Sequence, residues 1–162
     1  MAGLAAAREL QLGGRDAIVL EARDRIGGRV HTLRPRGWPV PVEAGAEFVH
    51  GRSKVLLPLA REAREVRGGH YSGALERQDD LWASVMEKLV RALAFDWQED
   101  ELSRGAYSWV PVRSMKAQRA LAKRVGPLHF AGEATDFAGA CGTVHGAIAT
   151  GIRAAREVAA RR

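Results

Sequence analysis

Val19-Leu20-Glu21-Ala22-Arg23-Asp24-Arg25-Ile26-Gly27-Gly28-Arg29-Val30 is the stretch on which the reading of this 162-residue chain turns. It joins a short apolar run, residues 17–20, to an acidic residue and then to a charged loop ending in Gly-Gly-Arg. The apolar run predicts a short buried strand. Upstream, residues 2–12 are rich in Ala, Leu, Arg and Glu, which predicts a helix, and Gly13-Gly14 predicts its end. Helix, strand and an acidic residue at the strand end form the second half of a βαβ dinucleotide-binding unit. In that unit a glycine-rich turn opens the helix, whose N-terminus faces a pyrophosphate. An acidic residue about 20 positions on holds the ribose hydroxyls. Gly3 stands where the third glycine of the turn belongs, and Glu21 follows 18 positions later. Taken alone, the same residues also read as an Ala-rich helix and a core strand with an exposed Glu.

Outward from this stretch, residues 30–33 and 40–43 predict two short strands around the Pro- and Gly-containing turn at 34–39. Residues 45–51 predict a loop. Residues 54–66 carry helical spacing at Val55, Leu56, Leu59, Ala60 and Ala63, with Pro58 tolerated in the first turn. A second helix starts at Asp79 or Asp80 and aligns Leu81, Val85, Leu89 and Leu93. A strand at 106–112, a helix at 114–124, a buried strand at 128–131, a loop at 132–142 and an Ala-rich helix at 143–160 complete the pattern. The fold class is therefore α/β, a partial Rossmann-like domain with a short helical insert. Its three parts are an N-terminal half at 1–51, an insert at 52–104 and a C-terminal half at 105–162.

Composition narrows the function. Apolar residues make up 46% and charged residues 27%, the proportions of a soluble globular domain. One cysteine, Cys141, excludes an intramolecular disulfide and a Cys-cluster metal site, and no metal site is expected. No run approaches the roughly 18 apolar residues of a membrane span, so no membrane and a cytoplasmic location are expected. The net charge of +6 rests on 25 Lys+Arg, only four of them Lys, scattered along the chain. With aromatics at 6%, that scatter reads as solvated basic faces and not as a nucleic-acid stripe.

The stretch at 19–30 closely resembles the FAD-binding N-terminus of the flavin-containing amine oxidase family, the monoamine and polyamine oxidases and their relatives. Gly45-Ala46-Glu47-Phe48-Val49-His50-Gly51 resembles that family's second flavin-contact loop. Gly105-Ala106-Tyr107-Ser108-Trp109-Val110-Pro111-Val112 is similar to its Gly-Ser-Tyr-Ser segment. Phe130-Ala131-Gly132-Glu133-Ala134-Thr135, followed by Gly142-Thr143-Val144-His145-Gly146-Ala147, resembles its C-terminal flavin motif. The four matches stand in family order, and the spans they bracket, 19–51 and 105–147, cover about half of the chain.

The resemblance implies FAD as cofactor, held by Gly3, Glu21, Arg23, Gly27, Gly28, Arg29, Gly45, Ala46, Gly132, Glu133, Thr143 and Val144. The chemistry of these residues agrees. A Glu21 carboxylate can accept from paired hydroxyls, and Arg29 can face a pyrophosphate in fork geometry. Gly27 and Gly28 let backbone approach a ligand. In the family, the counterpart of Glu133 bonds the cofactor's sugar-like chain. Thr143 and Val144 open a helix whose free N–H groups would face the flavin ring. Taken singly, each residue also reads as a turn glycine, a surface ion pair or a helix cap.

His50 is the catalytic candidate, near the place where some polyamine-oxidase relatives hold a His by the substrate; it also reads as a loop His bonded to backbone. Cys141 reads as an inert small residue. The implied parent activity is transfer of hydride from an amine α-carbon to flavin N5, with reoxidation by dioxygen giving hydrogen peroxide. The implied partner is a small amine. A non-catalytic remnant or interaction protein on the same scaffold is the rival, and a related desaturase or protoporphyrinogen oxidase is a third reading.

Two departures from the family shape the expectations. Its opening strand and Gly-x-Gly would precede Met1, and only 54 positions separate Gly51 from Gly105, where the family holds a substrate domain and an active-site lysine. The sequence therefore predicts an unpaired edge beside 17–20, with self-association or a partner completing the sheet. It also predicts weak amine oxidation, and convergence of Gly3, Glu21, Arg29, Glu133 and Thr143 on one groove.

Overall fold

The computed structural model describes residues 1–48, 52–62 and 93–160. Among the described residues, four helices and two strands carry most of what bears on function. Helix α1 is Ala2–Leu12, and strands β1 (Thr32–Leu33) and β2 (Val42–Glu43) pair antiparallel with Thr32 opposite Glu43. Helix α2 is Leu56–Glu62 and helix α3 is Met115–Leu121. A 3₁₀ turn at Glu133–Thr135 leads by a loop to helix α4, Val144–Ala159.

The two helices at the chain ends form the main packing unit. Thr143 caps α4, its hydroxyl accepting from the Gly146 N–H at 3.0 Å and donating to the Ala140 carbonyl at 2.6 Å. The α4 face made of Ile148, Gly151, Ala154 and Ala155 is buried, and Ile148 and Ala155 are 1% exposed. α1 lies on that face because Gly151 has no side chain. A Cβ there would stand 2.3 Å from the Ala2 carbonyl oxygen. The crossing is tied at its far end by the Arg156–Glu9 ion pair at 2.8 Å and by Arg15 Nη2 donating to the Ala159 carbonyl at 2.8 Å.

A second, smaller cluster lies around Trp97, which is 6% exposed and donates its indole N–H to the Ala44 carbonyl at 2.6 Å. Phe95 packs on it with ring centroids 4.6 Å apart, and His31 meets Phe95 edge-on. The chain after residue 93 is thereby fixed to the β1–β2 ribbon.

Three predicted strands are corrected. Residues 17–20 form no strand, and Ile18 and Leu20 are 90% and 91% exposed. An extended run becomes a strand only when its N–H and C=O groups meet a partner, and among the described residues none pairs with it. Residues 128–131 fold back instead, as Val125 and Leu128 exchange both backbone hydrogen bonds in a tight turn. Residues 106–112 form no ladder, and the Ser108 N–H donates to the Glu133 carboxylate at 3.0 Å. The one sheet among the described residues is the β1–β2 ribbon. The predicted helix from residue 79 lies outside the described residues.

Candidate functional site

The site is built on Glu133, which is 7% exposed. One carboxylate oxygen accepts from Arg29 Nη2 at 2.9 Å, from the Ser108 N–H at 3.0 Å and from the Ser108 hydroxyl at 3.0 Å. The other accepts from the Gly142 N–H at 2.8 Å, with the Cys141 thiol 3.8 Å away. Of the roughly four acceptor positions of a carboxylate, those of the first oxygen are filled by these protein donors, and the second oxygen has one N–H donor. Burial alone would push the Glu133 carboxyl up; the bonds from Arg29, Gly142 and Ser108 outweigh it and hold the carboxyl below its ordinary value. The Cys141 thiol is pushed up, first by burial and then by the neighbouring Glu133 charge.

Local backbone explains how these groups meet. Asp136 accepts from the N–H groups of Ala138 and Ala140 and so turns the loop that brings Gly142 back to Glu133. Thr150 on α4 accepts from the Gly132 N–H at 3.0 Å, which sets the 3₁₀ turn against the helix. Arg29 is held from its own side as well. Its second amino group donates to the Ala106 carbonyl, and its carbonyl accepts from the Ala46 N–H at 3.2 Å. Gly45 lies so close to that backbone that a Cβ would stand 1.8 Å from the Arg29 carbonyl oxygen.

Beside this pair opens a cleft of about 420 Å³, within the usual range of small-molecule sites. Its walls include Arg23, Gly28, Arg29, Ser103, Tyr107, Ser108 and Glu133. Arg23 is paired there with Asp100 at 2.5 Å. Gly28 has a positive φ of 62°, and nothing lies within 4 Å of the place its Cβ would occupy. The cleft floor is therefore open backbone next to two guanidinium groups.

Of the residues singled out by sequence, the structure brings Arg23, Gly28, Arg29 and Glu133 to this cleft. Gly45 and Ala46 support the Arg29 backbone, Gly27 lies against the Val30 backbone, and Gly132 precedes Glu133. Thr143 and Val144 open α4 next to Gly142, one step from the Glu133 carboxylate. Glu21 is exposed and accepts from the Arg23 N–H at 3.1 Å, adjoining the cleft without lining it. Gly3 is on α1 with open space around it. His50 lies outside the described residues. Sequence reasoning missed Asp100, Ser103 and Ser108. Ser108 sat inside a matched motif, whereas Asp100 and Ser103 fell in a polar stretch with no pattern to mark them. Among the described residues no group of three His, Cys, Asp or Glu could hold a metal ion, and no helix is long and apolar enough to cross a membrane.

Comparison with known proteins adds an independent line. The family described as flavin containing amine oxidoreductase matches residues 1–87 and 68–159. A protein of Mycobacterium tuberculosis named as the flavin-containing monoamine oxidase AofH is 48% identical over 61 residues, 38% of this chain and 13% of its own. Polyamine oxidase 2 of Arabidopsis thaliana is 52% identical over 52 residues, 32% of this chain and 10% of its own. Histone demethylase-like protein A of Aspergillus fumigatus is 48% identical over 67 residues, 38% of this chain and 6% of its own. The matches thus span a small part of each relative's length. No solved structure matches significantly.

Proposed function

The chain belongs to the flavin containing amine oxidoreductase family, and from that premise we propose that its cleft is an FAD site of amine oxidase type, with a small amine as the reducing substrate. The observation that carries this is the Arg29–Glu133 pair at 2.9 Å, which joins the two motif-bearing ends of the chain at the wall of the cleft. FAD is the cofactor of this family, and the donor set fits it. Two arginines face a cleft whose floor at Gly28 has no side chain, as a phosphate-bearing ligand requires. Glu133 fixes Arg29 and the Ser108 and Gly142 backbone at the wall of the cleft.

When bound, FAD supplies the hydride acceptor for amine oxidation. The chain's own residues bind and orient. Arg23 and Arg29 balance negative charge in fixed positions, and Glu21 stands beside Arg23 as the acceptor for ribose hydroxyls. The Thr143 cap orders the first turn of α4, whose free N–H groups provide a positive end beside the cleft. The proposed three-part organisation follows, with 1–51 and 105–162 carrying the cofactor and 52–104 between them. His50 is proposed to meet the amine. The test is peroxide release from the FAD-supplemented protein with a panel of monoamines and polyamines. FAD-dependent peroxide with at least one amine is expected, at a low rate. Peroxide independent of added FAD, or none with any amine while FAD is bound, would refute the oxidase reading.

A further inference from the structure

Both arginines of the cleft are gripped by carboxylates that arrive from far along the chain. Glu133 holds Arg29, and Asp100 holds Arg23. The second grip belongs to no motif, and its geometry is specific. One terminal amino group of Arg23, Nη2, donates to Asp100 Oδ1 at 2.5 Å and to the Ser103 hydroxyl at 2.9 Å. Both hydrogens of that nitrogen are thereby used. Nε and Nη1 carry three more donors, which have no partner among the described residues.

Asp100 is itself delivered by a closed turn. Its carboxylate accepts from the Ser103 N–H at 2.7 Å and its carbonyl from the Arg104 N–H at 2.9 Å. The Gly105 N–H closes the turn onto the Trp97 carbonyl at 2.8 Å, and Trp97 is bolted to Ala44 through its indole. The turn therefore presents Asp100 from a buried aromatic anchor, not from a free loop.

We propose that Asp100 is a positioning residue for the cofactor: it clamps one edge of the Arg23 guanidinium so that the remaining donors face the cleft and meet the phosphates of FAD. This rests on the flavin reading above. The alternative, that Asp100 merely neutralises Arg23 and weakens anion binding, fails on burial. The Arg23 side chain is only 16% exposed. Without its carboxylate it would be an unpaired charge in a poorly solvated position, and it would swing into water and leave the cleft. Asp100 thus acts through Arg23 alone, and that gives the test its form.

FAD affinity is measured by fluorescence titration for the unsubstituted chain, Asp100→Ala, Arg23→Gln and the double variant, with folding checked by circular dichroism. Asp100→Ala and Arg23→Gln should each weaken FAD binding about tenfold or more, as loss of a hydrogen bond to a charged group does. The double variant should be no weaker than Arg23→Gln. In the absence of FAD, phenylglyoxal should modify Arg23 faster in Asp100→Ala than in the unsubstituted chain. If Asp100→Ala does not fold, Asp100→Asn carries the same comparison. Unchanged FAD affinity in the Asp100 variant, or a double variant weaker than Arg23→Gln by the full Asp100 factor, would overturn the inference alone. No saturable FAD binding by the unsubstituted chain would overturn the flavin reading and this inference with it.

Discussion

Glu133 carries more of the local structure than any other side chain described. Its carboxylate collects donors from Arg29, Ser108 and Gly142, three places spread over more than a hundred positions. Glu133→Gln removes the charge, keeps the shape and puts an N–H₂ where an acceptor is needed. We expect a stability loss of about 1.5–3 kcal/mol at neutral pH, measured by urea denaturation. The pH dependence has a definite sign. The Glu133 carboxyl sits below its ordinary value of 4.5 in the folded chain, so its contribution is full above that value. It is lost as pH falls through the lower, folded value. Glu157, hydrogen-bonded to His129 and then to Arg153, is lowered as well and adds to the same acid limb. The unsubstituted protein should therefore lose stability on acidification from about 4.5 downward, and Glu133→Gln should lose less over that window. An identical acid limb in the two proteins would contradict this. Glu133 and Arg29 were legible in the sequence because each sits in a contiguous motif. Asp100 was not, because a bond to a residue 77 positions away leaves no local pattern.

At the scale of elements, the helices at the two chain ends and the β1–β2 hairpin were readable, and the three longer-range strands were not. The helix predicted at 2–12 is α1 to the residue, and that predicted at 143–160 is α4 with Thr143 as its cap. A helix satisfies its backbone within itself, so local propensity and capping residues carry the signal. A strand depends on its neighbour, and the apolar run 17–20 looked like a core strand while its structure lies open to water. Two substitutions separate these cases. Leu20→Ser should change stability by no more than about 0.5 kcal/mol, as at an exposed position. A loss of about 2–5 kcal/mol, the range for a truncated core leucine, would show that 17–20 is buried after all. Gly151→Ala should destabilise by about 1–3 kcal/mol through overpacking against the Ala2 backbone. It should do so even though alanine is the better helix former by about 1 kcal/mol. A rise in melting temperature on Gly151→Ala would mean that α1 does not lie on α4 as described.

For the whole molecule, the cleft joined by Arg29 and Glu133 and flanked by Arg23 with Asp100 is built by both ends of the chain, and we propose it as a single FAD cleft. Family membership was legible from four short motifs. The arrangement of the cleft was not, because it depends on loops whose backbone donors are spent on side chains instead of on ladders. Among the described residues, apolar groups such as Ile18, Leu20 and Trp109 are exposed and few are buried, so their order depends on these polar ties. Hydrogen–deuterium exchange with and without FAD tests the claim most directly. Slowed exchange is expected at residues 23–29 together with 105–108 and 132–134, rising along one saturation curve. Protection confined to one of those ends, or lying away from all three segments, would contradict it.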